Sequence, residues 1–263
     1  MMKYLKSNLQ DLRQIFDRTL TVRHVAESFL TFDGPRAALE IRAFMKDHNF
    51  DVVGVRQNGI VDGYVKRSDL TGGTLEDHLT RFNPDQQVDE TTSILGVLRL
   101  LRDSPRVFVV VMGHVSGIVT KGDLQKAPVR MYIFGVLSLL EMQFLRLIRR
   151  ALPNDSWKPL LSVKRLEEAT KLLEDRRRRN EDIDLADCLQ FCDKVTIGTK
   201  WPELRAELGF QPGGSAVTLL KKLRKLRDDL VHAQDIITGR WPELVDLLDC
   251  AEQILQRAEG LRL

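Results

Sequence analysis

Two stretches of the chain decide its fold: residues 50–70 read FDVVGVRQNGIVDGYVKRSDL, and residues 106–124 read RVFVVVMGHVSGIVTKGDL. Gly63 in the first stretch matches Gly117 in the second, and Asp69 matches Asp123, both at an offset of 54 positions. Each copy holds a β-branched run, a turn that contains glycine, a second apolar run and a polar turn. This pattern predicts two strands joined by a tight, hairpin-like connection.

A helical pattern precedes each copy, over Pro35 to His48 and over Ser93 to Arg102. The unit helix, strand, strand therefore occurs twice, and such self-similarity at a fixed period marks an internal repeat. We place the repeats at about residues 19–72 and 73–126. Residues 1–18 form a lead-in segment, where apolar spacing predicts an amphipathic helix over residues 4–18.

The pattern changes after Ala127, because no further β-branched alternation occurs. Residues 127–263 are predicted to be entirely helical, with boundaries indicated by Pro153, the Gly213-Gly214 pair, Gly239 and the tryptophans that precede proline. The predicted helices cover residues 129–150, 161–179, 183–195, 201–208, 215–234 and 242–259. No Gly/Ser-rich or Pro-rich linker separates the two regions.

Composition sets the broad class of the protein. The chain has 263 residues, a formal net charge of +3, 43% hydrophobic residues and three cysteines. Three cysteines cannot form a disulfide framework, so a reducing compartment is favoured. The N-terminus lacks the apolar core of a signal peptide, and the longest apolar stretch, Met131 to Leu140, is about half a membrane span. We therefore expect a soluble, cytoplasmic protein that does not enter a membrane.

The repeat resembles a tandem pair of cystathionine-β-synthase (CBS) domains, whose motif is Gly, hydrophobic, any residue, Thr/Ser, two further residues and Asp. Residues 117–123 fit this motif at every position, whereas Lys66 replaces the hydroxyl residue in the first copy. The resemblance implies adenine-nucleotide binding (AMP, ADP or ATP), with Asp123 on the ribose and Thr120 on a phosphate. Asp69 marks a second site, in which Lys66 or Arg67 meets the phosphate. The alternative is that both aspartates only begin helices.

The segment Arg227-Asp-Asp-Leu-Val-His232 carries the sharpest motif in the helical half. It resembles the Arg-x4-His signature of the HEPN superfamily, all-α domains of which many are metal-independent ribonucleases or toxins. The preceding apolar helix with a single acidic residue, Glu141, is similar to the opening helix of such domains. On an ideal helix, Asp228 shares a face with His232, whereas Arg227 lies about 140° away from it.

The motif residues suit RNA cleavage without a metal. A histidine moves protons near neutral pH, as attack by a ribose 2′-OH requires. An arginine meets the charge that grows on the phosphoryl oxygens. By resemblance, His232 and Arg227 are catalytic, Asp228 fixes the imidazole, and the site is completed across a homodimer. The alternative is a local Asp228–His232 pair in a non-catalytic binding module.

Other charged and thiol groups give weaker signals. Lys221 and Lys225 share the outer face of the motif helix and are candidate RNA contacts. The four arginines at 176–179 either hold RNA or form a solvated helix end. Cys188 and Cys192 lie four positions apart, but no nearby residue completes a metal set, so buried thiols are favoured and no metal is expected.

Together these patterns predict an α+β CBS-domain pair followed by an all-α HEPN-like helical bundle. The predicted function is an adenine-nucleotide-regulated, metal-independent endoribonuclease that requires no cofactor for catalysis. Its predicted partners are RNA, an adenine nucleotide as regulatory ligand and a second copy of the chain, and an inhibitory protein is a further candidate. The alternative function is a non-catalytic nucleotide sensor whose helical region binds RNA or a protein.

Overall fold

The computed structural model describes residues 18–208, 215–237 and 241–260, together with residues 11, 14 and 15. The lead-in helix predicted over residues 4–18 lies almost wholly outside these residues, as do the glycine signals at 213, 214 and 239. The described residues divide into two compact units, one within Phe16–Val129 and the other from Arg130 onward together with residues 11, 14 and 15. We refer to them as the α/β region and the helical region.

The described part of the α/β region contains short and medium strands and two helices. The strands are β1 (Glu27–Ser28), β2 (Thr31–Asp33), β3 (Val52–Gln57), β4 (Ile60–Lys66), β5 (Thr80–Arg81), β6 (Gln87–Asp89), β7 (Arg106–Val111) and β8 (His114–Thr120). The helices are α1 (Ala38–Asp47) and α2 (Ile94–Asp103).

These strands form two four-stranded sheets of equivalent topology, in the orders β2-β3-β4-β5 and β1-β8-β7-β6. In each sheet a helix connects two parallel strands, and a tight turn then leads into an antiparallel partner. Both predicted hairpins are confirmed. Their turns place Asn58 and Met112 at positive φ, as the two-residue turn of a hairpin requires.

Each sheet also takes an edge strand from the other half of the sequence. β1 pairs with β8, and β5 pairs with β4. The division of the repeats between residues 72 and 73 does not anticipate this exchange. A strand of two residues carries no readable alternation of apolar and polar side chains, so the sequence pattern could not reveal it.

Apolar side chains from both repeats form the core of the α/β region. Helix α1 buries Ile41 and Met45 against Val53 and Val65 of the first sheet. A second cluster brings aromatic side chains together, with the rings of Phe82 and Phe108 4.7 Å apart in edge-on contact. The helix predicted between Pro35 and His48 is thus confirmed.

The helical region follows. Its helices are α3 (Ala127–Ala151), α4 (Val163–Arg177), α5 (Phe191–Lys200), α6 (Pro202–Glu207), α7 (Ser215–Val231) and α8 (Trp241–Gly260). The predicted order of an α/β region followed by an all-helical region is confirmed.

Two predicted helices are wrong in extent. Residues 183–195 do not form one helix, because a 3₁₀ turn over Leu185–Cys188 precedes α5. Asp184 accepts a hydrogen bond from the backbone N–H of Asp187, so a separate N-cap begins the turn. The motif helix, predicted over residues 215–234, ends at Val231.

Helix α3 is long and apolar enough to span a membrane, and it is the one such helix among the described residues. The apolar stretch noted in the sequence is part of a longer helix of 25 residues. More than half of its apolar window is buried inside the protein, as expected of a core helix. Tyr132, Val136 and Phe144 are among its buried side chains.

Candidate functional site

The Thr–Asp motif of the second repeat is closed on itself. Asp123 is only 9% exposed, and its Oδ2 accepts hydrogen bonds from the backbone N–H and the hydroxyl of Thr120, at 2.7 and 3.0 Å. Its Oδ1 lies 2.9 Å from Lys126 Nζ. Thr120 and Asp123 therefore cap the 3₁₀ turn Lys121–Gln125 and leave the carboxylate little room for a ribose.

Lys126 holds this closed arrangement in place. Its ammonium also donates to the carbonyl of Val25, at 2.6 Å, and contacts Glu27. Partial burial acts to lower the pKa of Lys126, but the hydrogen bonds to Glu27 and Asp123 outweigh this effect and hold the pKa above its ordinary value. The lysine stays charged, so it ties the motif to the strand β1.

The equivalent motif of the first repeat is open. Lys66 and Asp69 are both exposed. The Asp69 carboxylate accepts a 2.7 Å hydrogen bond from the hydroxyl of Ser68, its neighbour in the chain. Lys66 has no hydroxyl that could close a cap, so the side chains of this motif remain accessible.

A cavity of about 720 Å³ lies beside the open motif. It is lined by Arg42, Lys46, Asn49, Asp51, Lys66, Arg67, Ser68 and Arg106. Five of these side chains are cationic and one is acidic. Such an excess of positive charge in a concave site attracts anions.

Most of the cations in this cavity have no acidic partner in the part of the chain that the structure describes. Arg67 donates to Asp51 Oδ1 at 2.8 Å, and Arg106 lies over the ring of Tyr64, 5.7 Å from its centroid. Arg42, Lys46 and Lys66 form no ion pair with the residues that the structure describes. Elsewhere in the same region arginines are paired, as in Arg56 with Asp33 and Arg81 with Asp62.

The open cavity is thus not at the motif that fits the CBS pattern at every position. The motif pointed to Thr120 and Asp123, whereas the accessible cavity lies at Lys66 in the first repeat. Asp69 is near it in sequence but is not among its lining residues. Arg42, Lys46 and Arg106 were missed. The spacing of Arg42 and Lys46, one turn apart on α1, was the available signal.

In the helical region, Arg227 meets an acidic residue of another helix. Its guanidinium lies 3.7 Å from a carboxylate oxygen of Glu141 on α3. The other oxygen of Glu141 accepts a 2.8 Å hydrogen bond from Lys194, a buried lysine on α5. The single acidic residue of the apolar helix therefore joins three helices through two cations.

The carboxylate of Asp228 is engaged with arginines. It accepts a 3.0 Å hydrogen bond from Arg227, and its second oxygen lies 3.7 Å from Arg224. Among the described residues, the carboxylate of Asp228 makes no contact with the imidazole of His232. The proposed role of Asp228 in orienting that ring stays a prediction.

His232 occupies the C-cap of α7 and is exposed. Ala233 follows at φ 53°, and the N–H of Gln234 bonds to the carbonyl of Asp229 at 2.8 Å, which completes a Schellman motif. Arg130 of α3 donates to the carbonyls of Leu230 and Gln234. The backbone that carries His232 is therefore fixed, while its side chain faces solvent.

The weaker basic signals differ in their surroundings. Lys221 is exposed, and Lys225 lies 3.5 Å from Asp229 on its own helix. Within the arginine run, Arg176 pairs with Glu181 and Arg178 pairs with Asp175. Two of the four arginines are thus neutralised locally, as at a solvated helix end.

The cysteines behave as partly buried thiols. Burial raises the pKa of both Cys188 and Cys192, which disfavours the thiolate that metals bind. Within the described residues, no group of three or more His, Cys, Asp or Glu side chains is arranged to hold a metal ion.

Comparisons with known proteins give matches among solved structures alone; no family model and no curated protein matches the chain. The CBS domain of the bacterial CNNM/CorC family Mg²⁺ transporter is 18% identical, with 46% of this chain and 81% of that chain covered and a TM-score of 0.36. CBSX2 in complex with AMP is 18% identical, with coverages of 42% and 97% and a TM-score of 0.37. A CBS domain-containing protein of unknown function from Bacillus anthracis is 13% identical, with coverages of 43% and 94% and a TM-score of 0.38.

Proposed function

We propose that the α/β region is a CBS domain pair that binds an adenine nucleotide as a regulatory ligand, and that the cavity at Lys66 is the binding site. The observation that carries this proposal is the set of unpaired cations around that cavity. Unpaired cations in a folded protein repel one another, so an anionic ligand that neutralises them gains binding energy. The repeated motif supplies the second support, because it is the one that resembles CBS domains.

The closed motif of the second repeat limits the number of ligands. Asp123 is buried and both of its oxygens are occupied by Thr120 and Lys126. A ribose would have to displace one of these partners and break a hydrogen bond of the buried cap, which is costly. We therefore expect one nucleotide per chain.

Isothermal titration calorimetry of the full chain with AMP and with ATP tests this proposal. We expect saturable binding with a stoichiometry of one per chain, weakened by Lys46→Ala in the cavity. Lys171→Ala removes an exposed lysine of α4 and serves as the matched control. Absence of saturable binding, or equal weakening by both variants, would contradict the proposal.

A second candidate function belongs to the helical region. We propose that it is a HEPN-type, metal-independent endoribonuclease, with His232 in proton transfer and Arg227 opposite the phosphoryl charge. The supporting observation is that His232 is exposed on a fixed C-cap and has no partner for its ring within the described residues. A solvent-facing imidazole on a rigid backbone can meet an RNA strand.

This candidate requires a second copy of the chain. Arg227 is turned toward Glu141 and Asp228, so one protomer offers His232 without a free arginine fork beside it. On the helix that carries Glu141, Met131, Phe134 and Met142 are exposed apolar side chains. Burial of such residues against a partner copy is favourable, and a two-fold contact here would bring two Glu141–Arg227 pairs close together.

Cleavage of a mixed RNA in excess EDTA, with and without AMP or ATP, tests the second candidate. We expect cleavage by the wild type, loss of at least a hundredfold in rate for His232→Ala, and an unchanged rate for His114→Ala. His114 is an exposed histidine of the α/β region and provides the matched control. A rate that is equal in all three proteins would identify a contaminating nuclease.

If the folded protein binds nucleotide but cleaves no RNA, the non-catalytic sensor is the correct function. Its helical region would then bind RNA or a protein, including an inhibitory partner. Retention of RNA binding by His232→Ala would agree with that alternative, because a binding module does not depend on one titrating group.

A further inference from the structure

We infer that the cavity at Lys66 selects its ligand by the length of the phosphate chain and not by the base. The inference rests on the proposed nucleotide binding at the same cavity, and it identifies the part of the ligand that is recognised. The ligand class is a polyphosphate chain, whether it belongs to a nucleoside triphosphate or is inorganic.

The residues that line the cavity carry more positive than negative charge. Arg67 is matched by Asp51, and this leaves Arg42, Lys46, Lys66 and Arg106 without an acidic partner among the described residues. A single phosphate monoester carries about −1.5 to −2 charges at pH 7. A monophosphate therefore neutralises about half of these cations, whereas a triphosphate supplies enough charge for all of them.

The cations of the cavity lie on different secondary-structure elements. Arg42 and Lys46 lie one turn apart on α1, Lys66 ends β4, and Arg106 begins β7. Three separate elements therefore supply charge to one cavity of about 720 Å³. A single phosphate can form short, charge-assisted hydrogen bonds with only some of these groups, while a chain of three phosphates can extend along them.

The lining of the cavity offers no aromatic or apolar side chain on which a base could stack, among the described residues. The residues that line the cavity, within the part of the chain that the structure describes, are all polar or charged. Nucleobases are bound by stacking on aromatic or apolar side chains or on arginine guanidinium planes, together with hydrogen bonds to the base edges, and an arginine stacks on any base. Nothing in this lining stacks on adenine in preference to guanine.

The difference between the two repeats points the same way. At the position where the second repeat has Thr120, the first repeat has Lys66. The threonine closes a cap on Asp123, while the lysine adds a charge to an open cavity. Lys66 therefore leaves Asp69 without a hydroxyl partner, and it adds a positive charge that an anionic ligand can neutralise.

The experiment is a titration of the full chain, in EDTA and at low salt, with four ligands: AMP, ATP, GTP and inorganic tripolyphosphate. We expect the three triphosphates to bind within about threefold of one another and each at least about tenfold more tightly than AMP, since each added charge-assisted hydrogen bond is worth about that factor. A rise in salt should weaken the triphosphates more than AMP.

Two variants assign the effect to the cavity. Lys66→Thr and Arg42→Ala should each weaken ATP and tripolyphosphate about tenfold and change AMP less. Arg23→Ala is the matched control, because it removes an exposed arginine of the same region that does not line the cavity. An equal loss for Arg23→Ala would show diffuse attraction to a basic surface and would overturn the inference.

The outcomes separate the inference from the proposed function. If ATP and AMP bind equally while GTP and tripolyphosphate do not bind, adenine recognition stands and the inference is wrong. If tripolyphosphate binds as ATP does, the phosphate chain is the recognised group. If none of the four ligands binds, both the inference and the proposed nucleotide site are wrong.

Discussion

Asp69 and Asp123 occupy the same position of a repeated motif but lie in different surroundings. Asp123 is buried and accepts two hydrogen bonds from Thr120 while it faces Lys126. Asp69 is exposed and bonds only to its neighbour Ser68 among the contacts described above. The second repeat closes the cap with the hydroxyl of Thr120 and the ammonium of Lys126, whereas the first repeat has Lys66 and Gly72 at the equivalent positions.

The two aspartates should therefore differ in their effect on stability. Asp123→Ala removes a cap and an ion pair from a buried site, so we predict a loss of about 2 kcal/mol in the free energy of unfolding. Asp69→Ala should change it by less than about 0.5 kcal/mol. Urea unfolding followed by circular dichroism measures both, and equal losses would contradict the assignment of Asp123 as a cap.

Much of the local chemistry could be read from the sequence, and the remainder depended on contacts that sequence spacing does not encode. The capping alternative for Asp123 was available, because Asp three residues after Thr is a known cap pattern. The cavity at Lys66 was not, because Arg106 joins it from a strand 40 positions further along the chain. Likewise, the partner of Arg227 is Glu141, on a helix that begins a hundred residues earlier.

At the scale of elements, the two hairpins are near copies with different turn residues. Asn58 and Met112 adopt φ of 51° and 49°, and each is followed by a glycine at positive φ. Asparagine tolerates this left-handed backbone conformation, whereas the same conformation is strained for methionine. Met112 is 93% exposed, so it gains nothing from packing.

An exchange of these residues tests the reading of the turns. We predict that Met112→Asn stabilises the protein by about 0.5–1 kcal/mol and that Asn58→Met destabilises it by a similar amount. The melting temperature of each variant, by calorimetry, measures the effect. A loss of stability in Met112→Asn would show that the methionine makes contacts that the turn geometry does not reveal.

The C-terminal turn of α7 carries a similar strain. Ala233 stands at φ 53°, at the position where a Schellman motif favours glycine. We predict that Ala233→Gly stabilises the helical region by up to about 1 kcal/mol, whereas the control Ala206→Gly, inside α6, destabilises it by about the same amount. The three tryptophans lie in this region, so fluorescence in urea reports on it. Equal destabilisation by both variants would contradict the assigned cap.

The elements themselves were predictable to different degrees. The long strands and α1, α2, α3 and α8 follow apolar periodicity, which is why their predicted positions are close to the observed ones. The region after Arg179 was less predictable, because side-chain caps begin two separate turns there: Asp184 caps the 3₁₀ turn, and Asp193 accepts a hydrogen bond from the backbone N–H of Gln190, the N-cap of α5. Local hydrogen bonds of this kind override the hydrophobic pattern.

At the scale of the whole molecule, the proposals join a nucleotide-binding α/β region to a helical region that carries Arg227 and His232. In this reading the α/β region needs an anion to neutralise its cavity, and the helical region needs a second copy to complete its site. Nucleotide dependence of RNA cleavage would then express a coupling free energy between two distinct sites. The part of this scheme on which the rest depends is the binding of a nucleotide at Lys66.

The measurement to make is hydrogen exchange of the full chain with and without ATP, in EDTA. A ligand that binds the folded state slows the exchange of the backbone it contacts and of the elements it stabilises. We predict slower exchange in peptides that cover residues 42–51, 63–70 and 104–108, with peptides confined to residues 121–126, beyond the strand that pairs with residues 106–109, unchanged. Slower exchange confined to residues 117–126, or no change anywhere, would contradict nucleotide binding at this cavity.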